Sequence, residues 1–151
     1  MAPWSDITSM GCDMSELVRF GVSLEDGLLE KFDRLIRKRG YATRSEALRD
    51  LIRQELVKNE WEEDQEVAGT ITFIYDHHRR GLSSQLTDLQ HDHQETIISS
   101  QHIHLDHHNC LEIVAVKGKA SEVEALADAL RSVKGVRHGA LSMTSTGKEI
   151  E

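Results

Sequence analysis

Gln101-His102-Ile103-His104-Leu105-Asp106-His107-His108-Asn109-Cys110-Leu111 is the stretch from which the rest of the chain can be read. Side chains alternate faces along a strand, so His102 and His104, two apart, project from the same side. The polar run Asp106 to Asn109 suits a turn, and Leu111 to Lys117 is the strand that returns. Such a hairpin brings two imidazoles and the Cys110 thiolate together. That donor set favours late transition metals over magnesium or calcium.

Outward from this hairpin the pattern is regular. A strand at Thr70–Tyr75 precedes a helix carrying Leu82, Leu86 and Leu89, and Thr96–His104 forms the hairpin's first strand. After the second come a helix with Val123, Leu126, Ala127, Leu130 and Val133, and a last strand at Val136–Thr144. The order βαββαβ predicts a ferredoxin-like unit. His91 and His93 close its first helix, and either one can supply a further ligand. Gln90 adjoins His91, and Glu112 lies two residues beyond Cys110 on the same strand face, so both are candidates to orient the ligands through hydrogen bonds. His77-His78 and His107-His108 read as solvated loop residues or as weaker outer metal sites; His138 has no visible partner.

The N-terminal part has a different character. Leu17 to Ser23 alternates, with Val18, Phe20 and Val22 on one side and Arg19, Gly21 and Ser23 on the other. Ser23 is the expected cap of a helix with apolar Leu24, Leu28, Phe32, Leu35 and Ile36, stopped at Gly40. Thr43-Arg44-Ser45-Glu46 matches a capping box and opens a second helix, with Leu48, Leu51, Ile52 and Leu56 inward. One strand and two short helices cannot bury a self-sufficient core. The strand therefore needs its copy from a second chain, and the resulting ribbon can enter a DNA major groove. From Ser15 to Lys58 there are ten Lys/Arg against eight Asp/Glu, while the remainder has eight against eighteen. The overall charge of −8 therefore sits outside this segment.

Gly40-Tyr-Ala-Thr-Arg-Ser-Glu-Ala-Leu-Arg-Asp50 after such a strand resembles the ribbon-helix-helix repressors. Together with an acidic connector, Leu-Gln-His (89–91), His-Ile-His (102–104) and Asn-Cys-Leu-Glu (109–112), it resembles the nickel-responsive NikR regulators over residues 16–147. The resemblance implies an α+β chain: a ribbon-helix-helix domain followed by a βαββαβ domain of the ACT type. It implies a homotetramer, a dimer of dimers, binding one Ni(II) per subunit. His102, His104 and Cys110 would come from one chain and His91 from its neighbour, in a square-planar set suited to Ni(II) or Cu(II). Arg19, Gly21 and Ser23 become the base-facing positions, although Gly21 has no side chain to read with; Arg44 and Ser45 at the second helix's N-terminus would meet phosphate. The resemblance also suggests a secondary cation site at Glu46 and Asp50, which charge pairs with Arg49 or Arg53 would equally explain.

The expected division is a tail at 1–14, a DNA-binding domain at 15–59, an acidic linker at 60–68, the metal-binding and tetramerising domain at 69–145, and a tail at 146–151. The implied function is a nickel-dependent transcriptional repressor that binds palindromic operator DNA and represses nickel uptake genes. Two rivals use the same His/Cys cluster: a metalloenzyme, which lacks an evident general base or nucleophile motif, and an ACT-type small-molecule sensor. No apolar run approaches the roughly 18 residues of a membrane span. Met1 to Asp13 has no apolar segment of the secretory kind. Cys12 and Cys110 make no disulfide framework, so a cytoplasmic protein with reduced thiols is expected.

Overall fold

The computed structural model describes residues 17–150. The remaining residues, including Cys12 and the whole expected N-terminal tail, lie outside it. Four strands and four helices follow in order: α1 (Asp26–Arg39), α2 (Arg44–Glu62), β1 (Glu66–Tyr75), α3 (Leu82–Asp92), β2 (Ile97–His104), β3 (Cys110–Lys119), α4 (Ala120–Ser132) and β4 (Val136–Ser145).

From β1 onward the order is βαββαβ, and the strands form one antiparallel sheet in the order β2-β3-β1-β4. This is the ferredoxin-like arrangement. Its cause is visible in the alternation: Val67, Ile71, Phe73 and Tyr75 of β1 and Cys110, Val114 and Val116 of β3 all point to one buried face. α3 adds Leu82 and Leu86 to that face, and α4 adds Val123, Leu126, Ala127 and Leu130. Truncating a fully buried member such as Leu126 to Ala would cost about 2–5 kcal/mol. The other face carries half-buried Ile74, Ile103, Leu111 and Ile113, and contributes nothing to the buried cluster.

The N-terminal helices depart from expectation in three ways. Residues 17–25 form no strand within the single chain, because the ladder partner that a ribbon requires is absent. Leu17, Val18, Phe20 and Val22 are accordingly exposed. α1 starts at Asp26 with Glu25 as its cap, so Ser23 does not cap it. α2 continues through Asn59, Glu60, Trp61 and Glu62, which shortens the expected acidic linker to the turn between Glu62 and Glu66. The reason is packing. Trp61 is buried, its indole N–H donates to the Thr144 carbonyl at 3.0 Å, and Glu60 Oε1 accepts from the Ser145 hydroxyl at 3.0 Å. An acidic run that looks like solvated linker thus docks the end of α2 onto β4.

Other local expectations hold in part. Gly40 takes the left-handed conformation (φ 76°) that ends α1. The Thr43 hydroxyl accepts from the Glu46 amide at 3.1 Å, as the box requires, but the Glu46 carboxylate accepts from the amide of Ala42 at 3.2 Å and not from that of Thr43, so the box is half formed. Arg44 makes a two-point ion pair with Asp33, at 2.8 Å for both contacts, which ties α2 to α1. Asp50 accepts from the hydroxyl of Tyr41 and, at 2.6 Å, from the Gln54 amide. Arg53 instead donates to the Ile150 carbonyl, so the expected pairing of Glu46 or Asp50 with Arg53 is not formed.

Candidate metal centre

Register builds the site. β3 runs antiparallel between β2 and β1, and Cys110 lies opposite His104 on one side and Tyr75 on the other. Glu112 lies opposite His102 and Phe73. Two rows of side chains therefore cross the helix-covered face near its edge: Tyr75, Cys110 and His104, then Phe73, Glu112 and His102.

Cys110 is fully buried and its thiol is free. Its Sγ lies 3.3 Å from His104 Nδ1, and the His104 and His102 rings are 4.8 Å apart at their centroids. Burial pushes the thiol's pKa up, helped by the charges of Asp76, Asp106 and Glu112. In the absence of a metal the sulfur therefore keeps its proton at neutral pH.

His77 completes this group from a direction that spacing does not reveal. It follows β1, and its Nδ1 sits 3.0 Å from Cys110 Sγ. The donor atoms of His77, His104 and Cys110 all lie within 4.8 Å of one another. Partial burial lowers the pKa of His77 and favours the neutral imidazole that a metal requires. The signal was available in the period-two run Phe73, Tyr75, His77, but only the β1–β3 register turns that run toward Cys110.

His102 is held differently. Its Nδ1 faces the Tyr75 hydroxyl at 3.1 Å and Glu112 Oε2 at 4.0 Å. Glu112 is buried, and its carboxylate accepts from Tyr75 at 3.1 Å and from the Gln90 side-chain amide at 2.6 Å. Burial first, and the Glu112 charge second, raise the Tyr75 phenol's pKa well above its ordinary value, so it stays a donor. Gln90 and Glu112 thus meet, and through Tyr75 they reach a candidate ligand. His91, one residue along α3, is exposed in a cleft of about 280 Å³ with Gln90, Ser100 and Glu112, outside the His77–His104–Cys110 group.

The loop leading into Cys110 is well tied. Asp106 accepts from the amides of His108 and Asn109 at 2.8 Å and from the Asn109 side chain at 2.7 Å. These contacts, the Asn109 side chain foremost, hold its carboxyl down to a pKa of about 2.

Two imidazoles and a thiol converging on a buried edge fit a late transition metal, and no hard-cation site has this composition. Comparison with known proteins bears on which metal. Residues 68–144 match the family described as the NikR C-terminal nickel-binding domain, and residues 18–59 match the ribbon-helix-helix proteins of the copG family. A relative in Syntrophus aciditrophicus named as a nickel-responsive regulator is 62% identical over 135 residues, 89% of this chain and 98% of its own length.

The chain belongs to the nickel-responsive regulator family.

Relatives so named in Nitratidesulfovibrio vulgaris and Thermococcus onnurineus are 56% and 55% identical, covering 91% and 89% of this chain and 99% of their own lengths. The architecture is accordingly a ribbon-helix-helix domain followed by a nickel-binding domain, in a family of regulators and not of enzymes. Among the described residues, no helix is long and apolar enough to cross a membrane.

Among the expected DNA-facing positions, Arg19, Gly21 and Ser23 are exposed on the segment before α1. Arg44 and Ser45 are exposed at the first turn of α2, with Arg44 engaged by Asp33.

Proposed function

We propose that this chain is a cytoplasmic, nickel-dependent repressor that reads a palindromic operator, controlling nickel uptake genes. The observation that carries the reading is the approach of His104 Nδ1 to Cys110 Sγ, with the His102 ring beside that of His104, on one sheet edge. His102, His104 and Cys110 would hold one Ni(II) per subunit together with the partner subunit's His91, in a planar set. His91 is exposed and lies outside the His77–His104–Cys110 group of its own chain, as a site shared with a neighbour requires. The ion supplies a cross-link between subunits. Gln90 and Glu112 would keep α3 and β3 at fixed separation while Tyr75 and Glu112 orient His102.

Association is supported by two uncovered apolar faces. Phe20, Val22, Leu28, Ile52 and Leu56 are exposed around α1 and α2, and a second copy would cover them by pairing residues 17–23 into a ribbon. The half-buried face of Ile74, Ile103, Leu111 and Ile113 would be covered by two further copies, giving a dimer of dimers. In that ribbon Arg19, Gly21 and Ser23 face the bases, while Arg44, Ser45 and the N-terminus of α2 meet phosphate. Glu46 and Asp50 are assigned to the capping box and the Tyr41 contact, with a cation between the domains as a lesser role.

For metal to regulate, it must be held more tightly in the DNA-competent arrangement than elsewhere in the ensemble. Reciprocity then requires operator DNA to tighten nickel binding by the same factor. The test is fluorescence anisotropy on the chain's own operator fragment at fixed salt, with Ni(II), Cu(II), Zn(II) or no metal. Nickel-strengthened binding supports the reading; affinity indifferent to nickel ends it.

A further inference from the structure

β4 opens with an irregularity. Val136 pairs with Tyr75 and His138 with Ile74, so Arg137 has no partner on β1 and is the extra residue of a β-bulge. Alternation breaks there, and Arg137 and His138 are both exposed. A bulge re-aims one side chain away from the regular pleat. Here that side chain reaches past the end of β1, which separates β4 from β3 in the sheet. Arg137 Nη1 donates to Asn109 Oδ1 at 2.5 Å, whereas its approach to the Asp76 carboxylate is longer, at 3.9 Å. The close contact is thus a hydrogen bond to a neutral amide and not an ion pair.

Asn109 immediately precedes Cys110 and is the hub of the turn between β2 and β3. Its carbonyl accepts from the amides of Leu105 and Asp106 at 2.9 and 3.3 Å, and its side-chain amide donates to Asp106 at 2.7 Å. Asp106 in turn accepts from the amides of His108 and Asn109. All of these bonds are internal to the turn and move with it. Among the described residues, the bond from Arg137 is the one hydrogen bond that joins residues 105–109 to another part of the chain.

We propose that Arg137 is a positioning residue for the metal, a role that rests on the reading of Cys110 as a nickel ligand: through Asn109 it fastens the turn ahead of Cys110 to β4, so that the thiol is in place before the ion arrives. An internally bonded but untethered turn swings as a unit about its two strand ends, and ordering it on metal capture costs conformational entropy. A tether made in advance removes that cost from binding. Charge works the other way. A guanidinium beside a cation site repels the ion, so its removal on electrostatic grounds alone would tighten binding. Positioning and charge therefore predict opposite signs for the same substitution.

The test measures Ni(II) affinity of the full-length reduced protein by chelator competition, followed through thiolate-to-nickel absorption and without DNA. Arg137→Ala should weaken nickel binding roughly 3- to 10-fold, less than the loss of a partner that touches a ligand directly, with the band unmoved. Arg137→Lys keeps the charge and one donor for Asn109, and should restore most of the affinity. Asn109→Ala should weaken binding as well, and adding Arg137→Ala to it should change affinity by less than about twofold, since the two side chains are ends of one contact. Unchanged or tighter binding in Arg137→Ala overturns the proposal, as do additive losses in the double variant. A wild-type protein that shows no band sinks the Cys110 reading and this role with it. A wild-type band that Arg137→Ala leaves at full affinity sinks this role alone.

Discussion

The side-chain amide of Gln90 donates to Glu112 Oε1 across 2.6 Å, joining the last turn of α3 to the strand that carries Cys110. Glu112 spends its other oxygen on the Tyr75 hydroxyl, which in turn faces His102. A buried carboxylate with both oxygens engaged is a rigid spacer between two candidate ligand positions, His91 and His102. Glu112→Gln keeps the shape but turns one acceptor into a donor facing a donor. Nickel affinity should fall by roughly 10- to 100-fold, the usual effect of losing a ligand-orienting partner. Competition with a chromophoric chelator measures this; unchanged affinity would mean that the Gln90–Glu112–Tyr75 chain only packs.

Burial keeps the Cys110 thiol protonated, so capture of the metal as a thiolate must expel that proton. Apparent nickel affinity should therefore strengthen with rising pH, by roughly tenfold per pH unit for one proton released. Calorimetry in buffers of different ionisation enthalpy counts the protons. A pH-independent affinity would exclude the sulfur as a ligand.

Asp106 organises the loop between His104 and Cys110, and its carboxyl is held at about 2 by the Asn109 side chain and the His108 and Asn109 amides. A depressed carboxyl stabilises the fold above its unfolded value, near about 3.9, and loses that effect as pH falls toward the folded value. The amide resonances of His108 and Asn109 should hold steady down to about pH 4 and shift between about pH 4 and 2. Asp106→Ala should show the loosened loop at neutral pH, with weaker nickel binding.

Much of the nickel-binding domain was legible because its two central strands, β1 and β3, alternate and each helix carries one apolar stripe. The His-Ile-His and Cys positions were legible for the same reason: same-face spacing is a local property. His77 was not, because its approach to Cys110 depends on Tyr75 pairing with Cys110, a contact between residues 35 apart in the chain. The acidic run at Asn59–Glu62 misled for a related reason. Its charges describe a solvated surface, whereas one residue within it, Trp61, finds the Thr144 carbonyl and carries the helix onto the sheet. Residues 17–23 are a third case: the alternating pattern is clear, but the single chain offers no ladder partner, and the proposed ribbon would take one from a second copy.

Trp61 and Gly69 test that docking. A Cβ on Gly69 would stand 2.8 Å from the Ser142 carbonyl and 3.6 Å from the Trp61 ring, and the backbone oxygen cannot rotate away. Gly69→Ala should therefore distort the β1–β4 register and destabilise the protein, and Trp61→Ala should cost about 3–5 kcal/mol. Denaturant midpoints measure both. In the Trp61 variant nickel should still bind while its effect on DNA affinity weakens, since α2 loses its anchor on the sheet.

Phe20 offers the complementary separation. It is 69% exposed in the single chain, on the face a paired ribbon would bury. Phe20→Glu should abolish operator binding while leaving the thiolate-to-nickel absorption intact. Retained operator binding would show that residues 17–23 do not form the ribbon core.

The claim that the metal bridges two subunits is tested most directly by subunit mixing. His91→Ala and Cys110→Ala variants are prepared separately, each lacking one side of the shared site, then exchanged under mild denaturant and given Ni(II). Each variant alone should lack the native charge-transfer band. The mixture should recover it, because the Cys110 of one chain meets the intact His91 of the other. A His91→Ala variant that shows the full native band by itself, with nothing gained on mixing, would place every ligand within a single chain and contradict the account.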